Sequence, residues 1–325
     1  MQTDDVKKAE LSTPAAQAKP WSQGKADRVI ALIAILWGSS YLMMKVGLDG
    51  ILPFTITALR FSIAFFCVGL LFFRQLKNTT KKILLQGSLM GFFLFAIFAF
   101  LMHGMTSTSA SNAGFLISTA VVMVPVFHAL LIRRLPDLPT LLGVTVTTVG
   151  LALLTVQSSF TLQSGDLLCI GGAAMYACQI LLADHFTKDG NGLLLGIWQL
   201  GFCGLYAWLC AFLFETPVLP QSTAEWFAVL GLAVICSTFC FVALAVICSA
   251  FCFVAQPVAQ KYTTPEHAAL LFSLEPVSSA VFGFCFLHEV LSLRGYLGAV
   301  LVLCGVLIAS VPQKKKDPAE APDVL

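Results

Sequence analysis

Residues 268–287 read AALLFSLEPVSSAVFGFCFL and place Glu275 and Pro276 at the centre of a segment that is otherwise apolar. A hydrocarbon core about 30 Å thick is crossed by about 20 residues of helix. Counted inward from Thr264 at 1.5 Å per residue, Glu275 would lie roughly 17 Å deep, near the midplane. Pro276 cannot donate to the carbonyl of Phe272, which leaves a free backbone acceptor close to the carboxylate. A polar site at that depth is typical of transport proteins.

The composition indicates a membrane protein. Of 325 residues, 58% are hydrophobic and only 11% are charged, which is too little polar surface to cover a soluble domain. The net charge of +2 gives no reason to expect nucleic acid as a partner. The apolar runs lie at about 28–48, 54–73, 83–103, 109–132, 139–157, 166–186, 193–214, 226–260, 264–287 and 293–311. All except 226–260 have the length of a single span.

The positive residues predict the orientation of these spans. With the N-terminus inside, every lysine and arginine except Lys45, Arg60 and Arg294 falls in or beside a cytoplasmic segment. This bias predicts ten spans with both termini in the cytoplasm. The polar segment 1–27 is expected to be a disordered cytoplasmic tail, and 312–325 a second cytoplasmic tail.

The chain also contains an internal repeat. Sliding 109–155 onto 264–310, an offset of 155, superposes several identical residues without gaps. They are Ala113 and Ala268, Ser118 and Ser273, Leu142 and Leu297, Gly143 and Gly298, and Gly150 and Gly305. At an offset of 139, Asp27 coincides with Asp166 at the start of the second half.

These offsets predict two homologous halves, 28–157 and 166–311. Each half would hold five spans, and two halves with an odd number of spans must lie in opposite orientations. The predicted fold is therefore an all-α integral membrane protein with ten transmembrane helices in two inverted five-helix repeats. In transporters built this way, the site lies near the midplane between the halves.

A tandem duplication explains most of the difference between the two offsets. Residues 232–243 are followed by 244–255, which is identical except that Ala250 replaces Thr238. Twelve added helical residues rotate the later part of the helix by about 120°, so both copies cannot face the same neighbours. Such near-identity favours a recent duplication or a sequence error over an adapted functional extension. A genuine extension predicts a protruding, tilted or broken helix, with Pro257 assisting a break.

Several short motifs occur in order along the chain. They are Trp37-Gly38-Ser39-Ser40 with Lys45, Ala58-Leu59-Arg60-Phe61, Thr108-Ser109-Ala110-Ser111-Asn112-Ala113-Gly114-Phe115, Leu274-Glu275-Pro276-Val277, and His288-Glu289 before the last span. Together they resemble the ten-span EamA type of the drug/metabolite transporter superfamily over residues 28–311. Arg133-Arg134-Leu135-Pro136 departs from that pattern, where a Gly-Glu-Arg-like turn is usual. The resemblance implies a secondary transporter in a bacterial inner membrane, often an exporter of amino acids or other small metabolites.

Glu275 is the candidate for proton coupling. A carboxyl group at the bilayer centre is costly unless it is protonated, paired or hydrated, so it could bind a proton in one facing state and release it in the other. The structural alternative is a protonated carboxyl that bonds to the Phe272 carbonyl and holds the kink. Arg60 could hold a substrate carboxylate by a bidentate contact. It could equally reach the outer interface or cap a neighbouring helix.

Trp37, Ser40 and Tyr41 share one side of span one, and Tyr176 and Gln179 occupy the corresponding repeat positions in span six. This group is suited to a mostly apolar substrate-binding cavity with a few orienting polar contacts. The alternative is interhelical packing, with the hydroxyl and amide groups joining the helices.

Prolines and glycines supply the remaining structural predictions. Pro125 in span four and Pro276 in span nine are predicted hinges. Glycines spaced seven apart in spans five and ten predict close backbone approach, as scaffold or as the face of a homodimer. They are Gly143 and Gly150, and Gly298 and Gly305.

The sequence offers little for a cofactor, a metal or an enzyme. Cys236 with Cys240 and Cys248 with Cys252 have helical ligand spacing, but neither pair has a nearby histidine or carboxylate, which favours packing. A membrane enzyme would need several reactive groups at one depth, whereas the sequence has a single deep carboxylate. The expected partners are a small-molecule substrate, the lipid bilayer and protons as coupling ion. A channel or facilitative uniporter is the closest alternative function.

Overall fold

A computed structural model describes residues 21–38, 40–108, 110–133, 135–155, 164–188, 190–223, 225–226, 229–230, 248–287 and 292–309. Within these residues the chain is helical and contains no strand. The helices are α1 Gln23–Gly38, α2 Ser40–Leu48, α3 Pro53–Leu71, α4 Phe73–Leu76, α5 Lys81–Gly104, α6 Ala110–Ser118, α7 Ala120–Ile132, α8 Leu138–Thr155, α9 Ser164–Lys188, α10 Gly192–Phe214, α11 Cys248–Gln260, α12 Pro265–Phe272, α13 Leu274–Leu287 and α14 Leu293–Ala309.

The helices follow the apolar runs of the sequence, as expected for a multi-pass membrane protein. Among the residues that the structure describes, five segments are long and apolar enough to cross a membrane. They are Pro53–Leu71, Lys81–Gly104, Ala113–Ile132, Ser164–Lys188 and Gly192–Phe214. Leu138–Leu153 and Leu293–Ala309 are shorter apolar helices. The number of ten spans stays a prediction.

The second copy of the duplication, 244–255, contributes to α11, which begins at Cys248 and packs against α1, α3, α9 and α10. The first copy, 232–243, lies outside the described residues. Pro257 lies inside α11.

Two predicted spans are interrupted within one residue of the positions that the 155 offset relates. The chain breaks at Thr119, between α6 and α7, and at Ser273, between α12 and α13. The hydroxyl of Ser118 donates to a carbonyl one turn back at 2.7 Å, and that of Ser273 does the same at 2.5 Å. Such side-chain bonds compete with the helical ladder and bend the helix. Pro276 lies in the first turn of α13, where its missing N–H removes no helical bond.

The two predicted hinge prolines therefore differ in their relation to the breaks. Pro276 follows the Ser273 break directly, whereas Pro125 lies inside α7, six residues after Thr119. The span-four interruption thus lies upstream of the predicted hinge, where Ser118 and Thr119 both bond to carbonyls of the preceding turn.

The first helix of each half packs against the interrupted span of the other half. Helix α1 contacts α12 and α13, and α9 contacts α6 and α7. Helices α5 and α10 pack against α9, α11 packs against both α1 and α9, and α3 packs against α5, α10 and α11. Each half therefore supplies one wall of the central region.

Helices α8 and α14 form a separate, closely packed pair whose contact depends on glycine. A Cβ added at Gly150 would lie 2.6 Å from the nitrogen of Val302 and 2.7 Å from the carbonyl oxygen of Gly298. One added at Gly143 would lie 2.7 Å from the carbonyl oxygen of Gly305. The glycine stripe thus serves a contact within the chain, which is the scaffold interpretation of the sequence pattern.

Substitution of Gly150 by alanine tests this contact. Alanine at Gly171, a helical glycine with ordinary contacts of 3.5 Å to Phe100, is the matched control because both changes raise helix propensity equally. Overpacking costs about 1–3 kcal/mol. We expect Gly150→Ala to melt roughly 2–5 °C below Gly171→Ala in detergent. Equal melting temperatures, measured by differential scanning fluorimetry, would contradict the close packing.

Candidate functional site

A small cavity lies between helices from the N-terminal and C-terminal parts of the chain. The structure brings together around it all the side chains that the sequence singles out for substrate or proton binding. They are Trp37, Ser40, Tyr41, Arg60, Tyr176, Gln179 and Glu275. Much of the remaining wall is apolar, formed by Leu94, Ile97, Phe98, Leu101, Ile117 and Phe253. The roles of these residues remain predictions, but their convergence on one volume is a structural fact.

Glu275 lies where α1 ends against the first turn of α13. A Cβ on Gly38 would be 2.6 Å from the Glu275 carbonyl oxygen, so only glycine permits this approach of the two helices. The Glu275 side chain is only 7% exposed. Its carboxyl has the Tyr41 hydroxyl as a hydrogen-bond partner and lies within the electrostatic influence of Arg60. The carboxyl therefore interacts with a hydroxyl group on α2 and with a positive charge on α3.

Arg60 is buried among aromatic rings. Its guanidinium carbon lies 4.7 Å from the ring centre of Phe98, 5.2 Å from that of Phe61 and 5.7 Å from that of Phe253. Its Nη1 is 3.9 Å from the sulfur of Met44. Contacts with ring faces stabilise a buried cation. Arg60 therefore lines the cavity and is only 2% exposed, which does not fit the interpretation that it extends to the outer interface.

An aromatic cluster joins the two halves beside the cavity. The ring centre of Trp37 lies 4.7 Å from Phe253, 5.5 Å from Phe272 and 6.4 Å from Tyr176. Tyr176 and Phe272 are 5.7 Å apart. The Trp37 indole nitrogen and the Tyr176 hydroxyl are buried and have no hydrogen-bond partner among the described residues. Such groups are uncommon in protein interiors and are available to a ligand.

Three glutamines form a chain of hydrogen bonds next to this cluster. Gln256 Nε2 donates to Gln179 Oε1 at 3.1 Å, and Gln179 Nε2 donates to Gln199 Oε1 at 3.2 Å. Gln199 Nε2 in turn donates to the backbone carbonyl of Phe253. Gly196, one turn before Gln199, lets α10 approach the backbone of α11. This approach brings the Gln199 side chain within hydrogen-bonding distance of the Phe253 carbonyl.

The sequence interpretation missed Phe253, Gln199 and Gln256. A signal was available for two of them: at the offset of 155, Phe253 coincides with Phe98 and Gln256 with Leu101, and all four line the cavity. Extending that alignment one span towards the N-terminus would have found them. The duplication in span eight obscures this continuation.

Polar contacts close the packing on either side of the cavity. At one end, Thr108 Oγ1 donates to Asp166 Oδ1 at 2.6 Å, and both residues are buried. At the other end, His267 Nδ1 lies 3.4 Å from Asp27 Oδ1 and 3.3 Å from Thr263 Oγ1. Asp27 and Asp166 are related by the 139 offset, and Thr108 and Thr263 by the 155 offset. The two closures therefore use repeat-equivalent residues.

A second polar contact between side chains lies near the Asp27 end. His128 on α7 pairs with Glu266 in the first turn of α12. This pair connects the two interrupted spans directly.

Comparison with known proteins agrees with this architecture. The EamA-like transporter family model matches residues 25–156 and 163–311. An uncharacterized transporter of Archaeoglobus fulgidus is 30% identical over 286 residues, which cover 88% of this chain and 86% of that protein. The uncharacterized transporter YoaV of Bacillus subtilis is 22% identical over 291 residues, covering 86% of this chain and 94% of its own.

The fold also matches a solved structure. A crystal structure described only as that of a protein superposes with a TM-score of 0.69, at 19% identity, over 88% of this chain and 96% of its own. At that identity the match concerns the fold alone. With the family match over both halves of the chain and the transporters among its relatives, the conclusion is that this protein belongs to the EamA-like transporter family of the drug/metabolite transporter superfamily.

Proposed function

We propose that the protein is a secondary-active transporter that exports small organic metabolites, such as amino acids, by alternating access coupled to an inward proton. The observation that carries the proposal is the position of Glu275, a buried carboxyl facing a cavity beside an interrupted helix. A carboxylate in a bilayer is costly and is retained where it serves ions or substrates.

The proton step follows from the neighbours of Glu275. Tyr41 hydrogen-bonds to the carboxyl and the charge of Arg60 acts on it, and these groups lie on other helices, α2 and α3. A movement of α13 relative to those helices would change the stabilisation of the carboxylate and hence its proton occupancy. Substrate binding, which fills the same cavity, would be linked to that movement.

Alternating access is supported by the polar closures at the two ends. In the proposed topology, ten spans in two inverted repeats (28–157 and 166–311) and both termini in the cytoplasm of a bacterium, the Asp166 contact faces outward and the Asp27 contact faces inward. Opening one end while the other stays closed requires breaking one set of contacts at a time. Because the two sets of contacts use repeat-equivalent residues, one set can form when the other breaks, as alternating access between inverted repeats requires.

A channel or facilitative uniporter remains the alternative within membrane transport. It would use the same cavity, with Glu275 holding the helix interruption and no proton moving with the substrate. Proton flux separates the two functions.

Glu275→Gln tests coupling. We expect substrate-driven proton uptake into proteoliposomes, measured with a panel of amino acids and related metabolites, to fall in this variant to the level of protein-free liposomes. Glutamine keeps the size and hydrogen-bonding capacity of the side chain but cannot exchange a proton. Glu225→Gln, in the segment after α10, is the matched control and should leave the proton uptake unchanged.

Equal proton movement in wild type and Glu275→Gln would contradict the coupling role of Glu275 and leave it a structural one. Saturable substrate flux without any proton movement in the wild type would favour the uniporter.

Thr108→Val tests the closure at the Asp166 end. Valine has the shape of threonine but removes the donor to Asp166, a loss of about 1–1.5 kcal/mol. We expect hydrogen–deuterium exchange in the segment 104–108 to become about 5- to 10-fold faster, because local opening is easier by that amount. Exchange in the segment 261–266 at the opposite end should not increase.

Faster exchange at both ends would indicate general destabilisation instead of opening at one side. Unchanged exchange at both ends would remove the Thr108–Asp166 contact from the proposed mechanism.

A further inference from the structure

In the chain of three buried glutamines, each side chain donates to the next group through its NH₂. The backbone carbonyl at the end of the chain determines this orientation. A backbone carbonyl can only accept, so the Gln199 side chain must present its NH₂ group to the Phe253 carbonyl. Its oxygen then faces Gln179, which must donate through Nε2, at 3.2 Å. The Gln179 oxygen in turn faces Gln256, which must donate through Nε2, at 3.1 Å.

The oxygen at the end of this chain, Gln256 Oε1, belongs to a residue that lines the cavity. Gln256 lines the cavity and is fully buried, and its Oε1 has no hydrogen-bond partner among the described residues. Rotating the Gln256 amide to present NH₂ instead would set its oxygen against the Gln179 oxygen. The neighbouring amides therefore hold Gln256 as an obligate hydrogen-bond acceptor.

We infer that Gln256 is a specificity-determining residue of the substrate site, and that it selects small molecules with an apolar body that carries an N–H or O–H donor. This inference rests on the proposed transport function. A ligand without a donor at this position would leave a buried acceptor unpaired, which is unfavourable by more than the loss of an ordinary hydrogen bond. Amines, alcohols and amides satisfy the acceptor, whereas their fully methylated counterparts do not.

The surroundings of Gln256 agree with this ligand class. Phe253 lies on the same helix and its ring packs on Trp37, at 4.7 Å, so an apolar group has an aromatic surface next to the acceptor. The buried indole N–H of Trp37 and the hydroxyl of Tyr176 offer donors to acceptor atoms elsewhere on the same molecule. The glutamine chain itself belongs to α9, α10 and α11 and does not involve Glu275.

Matched pairs of ligands test the inference on the full-length protein. We would measure binding to the purified wild type by equilibrium dialysis with leucine and N,N,N-trimethylleucine, phenethylamine and its N,N,N-trimethyl form, and 2-phenylethanol and its methyl ether. Each pair shares its apolar body and differs in the donor. We expect the methylated member to bind about 10- to 100-fold more weakly.

Gln256→Met separates the missing donor from simple crowding by the methyl groups. Methionine has nearly the volume of glutamine and keeps any steric rejection, but it removes the acceptor. We expect the affinity ratio within each pair to fall below about 3-fold in this variant. Gln75→Met, at an exposed glutamine in α4, is the control and should keep the wild-type ratio.

Gln199→Met tests the orienting role of the chain without touching the cavity lining. Without Gln199, the Gln179 amide is free to rotate and Gln256 can present either end. We expect this variant to bind the methyl ether of 2-phenylethanol more tightly than the wild type does, because the ether oxygen can accept from a rotated Gln256 NH₂, and loss of structure alone would not produce tighter binding. Wild-type ratios in Gln199→Met would overturn the orienting role.

The inference and the proposed function fail in different ways. Binding with equal affinities within every wild-type pair, or a donor preference that survives in Gln256→Met, would overturn the specificity role and leave transport standing. Failure of the wild type to bind any of the six compounds would count against both.

Discussion

The site depends on one constraint: polar side chains inside a hydrocarbon layer must find their partners within the protein. Those partners lie on other helices, so the helices must approach at backbone distance. Gly38 provides that approach between α1 and α13 at Glu275, and Gly196 provides it between α10 and α11 beside Gln199. Each of these polar groups is thus held by a nearby contact between backbones. Small residues at helix crossings serve this purpose throughout membrane proteins.

The two halves share a scaffold but contribute different chemistry. At the 139 offset, Trp37 corresponds to Tyr176 and Arg60 to Gln199, so aromatic and polar positions recur. At the 155 offset, Glu275 corresponds to Ala120, so the first half has no carboxyl group at the equivalent position. A symmetric pair of carboxyls in one small cavity would repel, since both could not be ionised together. A single carboxyl beside Arg60 avoids this cost.

Much of the helical arrangement was predictable because apolar length is a direct consequence of the bilayer, and Glu275 was identifiable because a charge in such a run is rare. The break at Thr119 was harder, since proline is a strong signal and Pro125 lies in the same span, while the hydroxyl bonds that bend the helix depend on rotamers. Gln256 was missed because the duplication obscures the repeat alignment, and Gln199 for a different reason. A glutamine in an apolar run is commonly a link between helices, and only the distances between α9, α10 and α11 reveal the direction of its hydrogen bonds.

The placement of these groups bears on how substrate and proton would be coupled. The acceptor on Gln256 is fixed by helices of the second half, whereas the partners of Glu275 come from α2 and α3 of the first half. A ligand that donates to Gln256 and also contacts Arg60 would connect the halves and stabilise the arrangement in which both contacts are made. In that arrangement Arg60 is shared between the ligand and Glu275, so ligand binding and proton binding act on the same cation. The ligand and the ionised Glu275 carboxylate would then compete for one guanidinium, so the two sites are linked without a signal over distance.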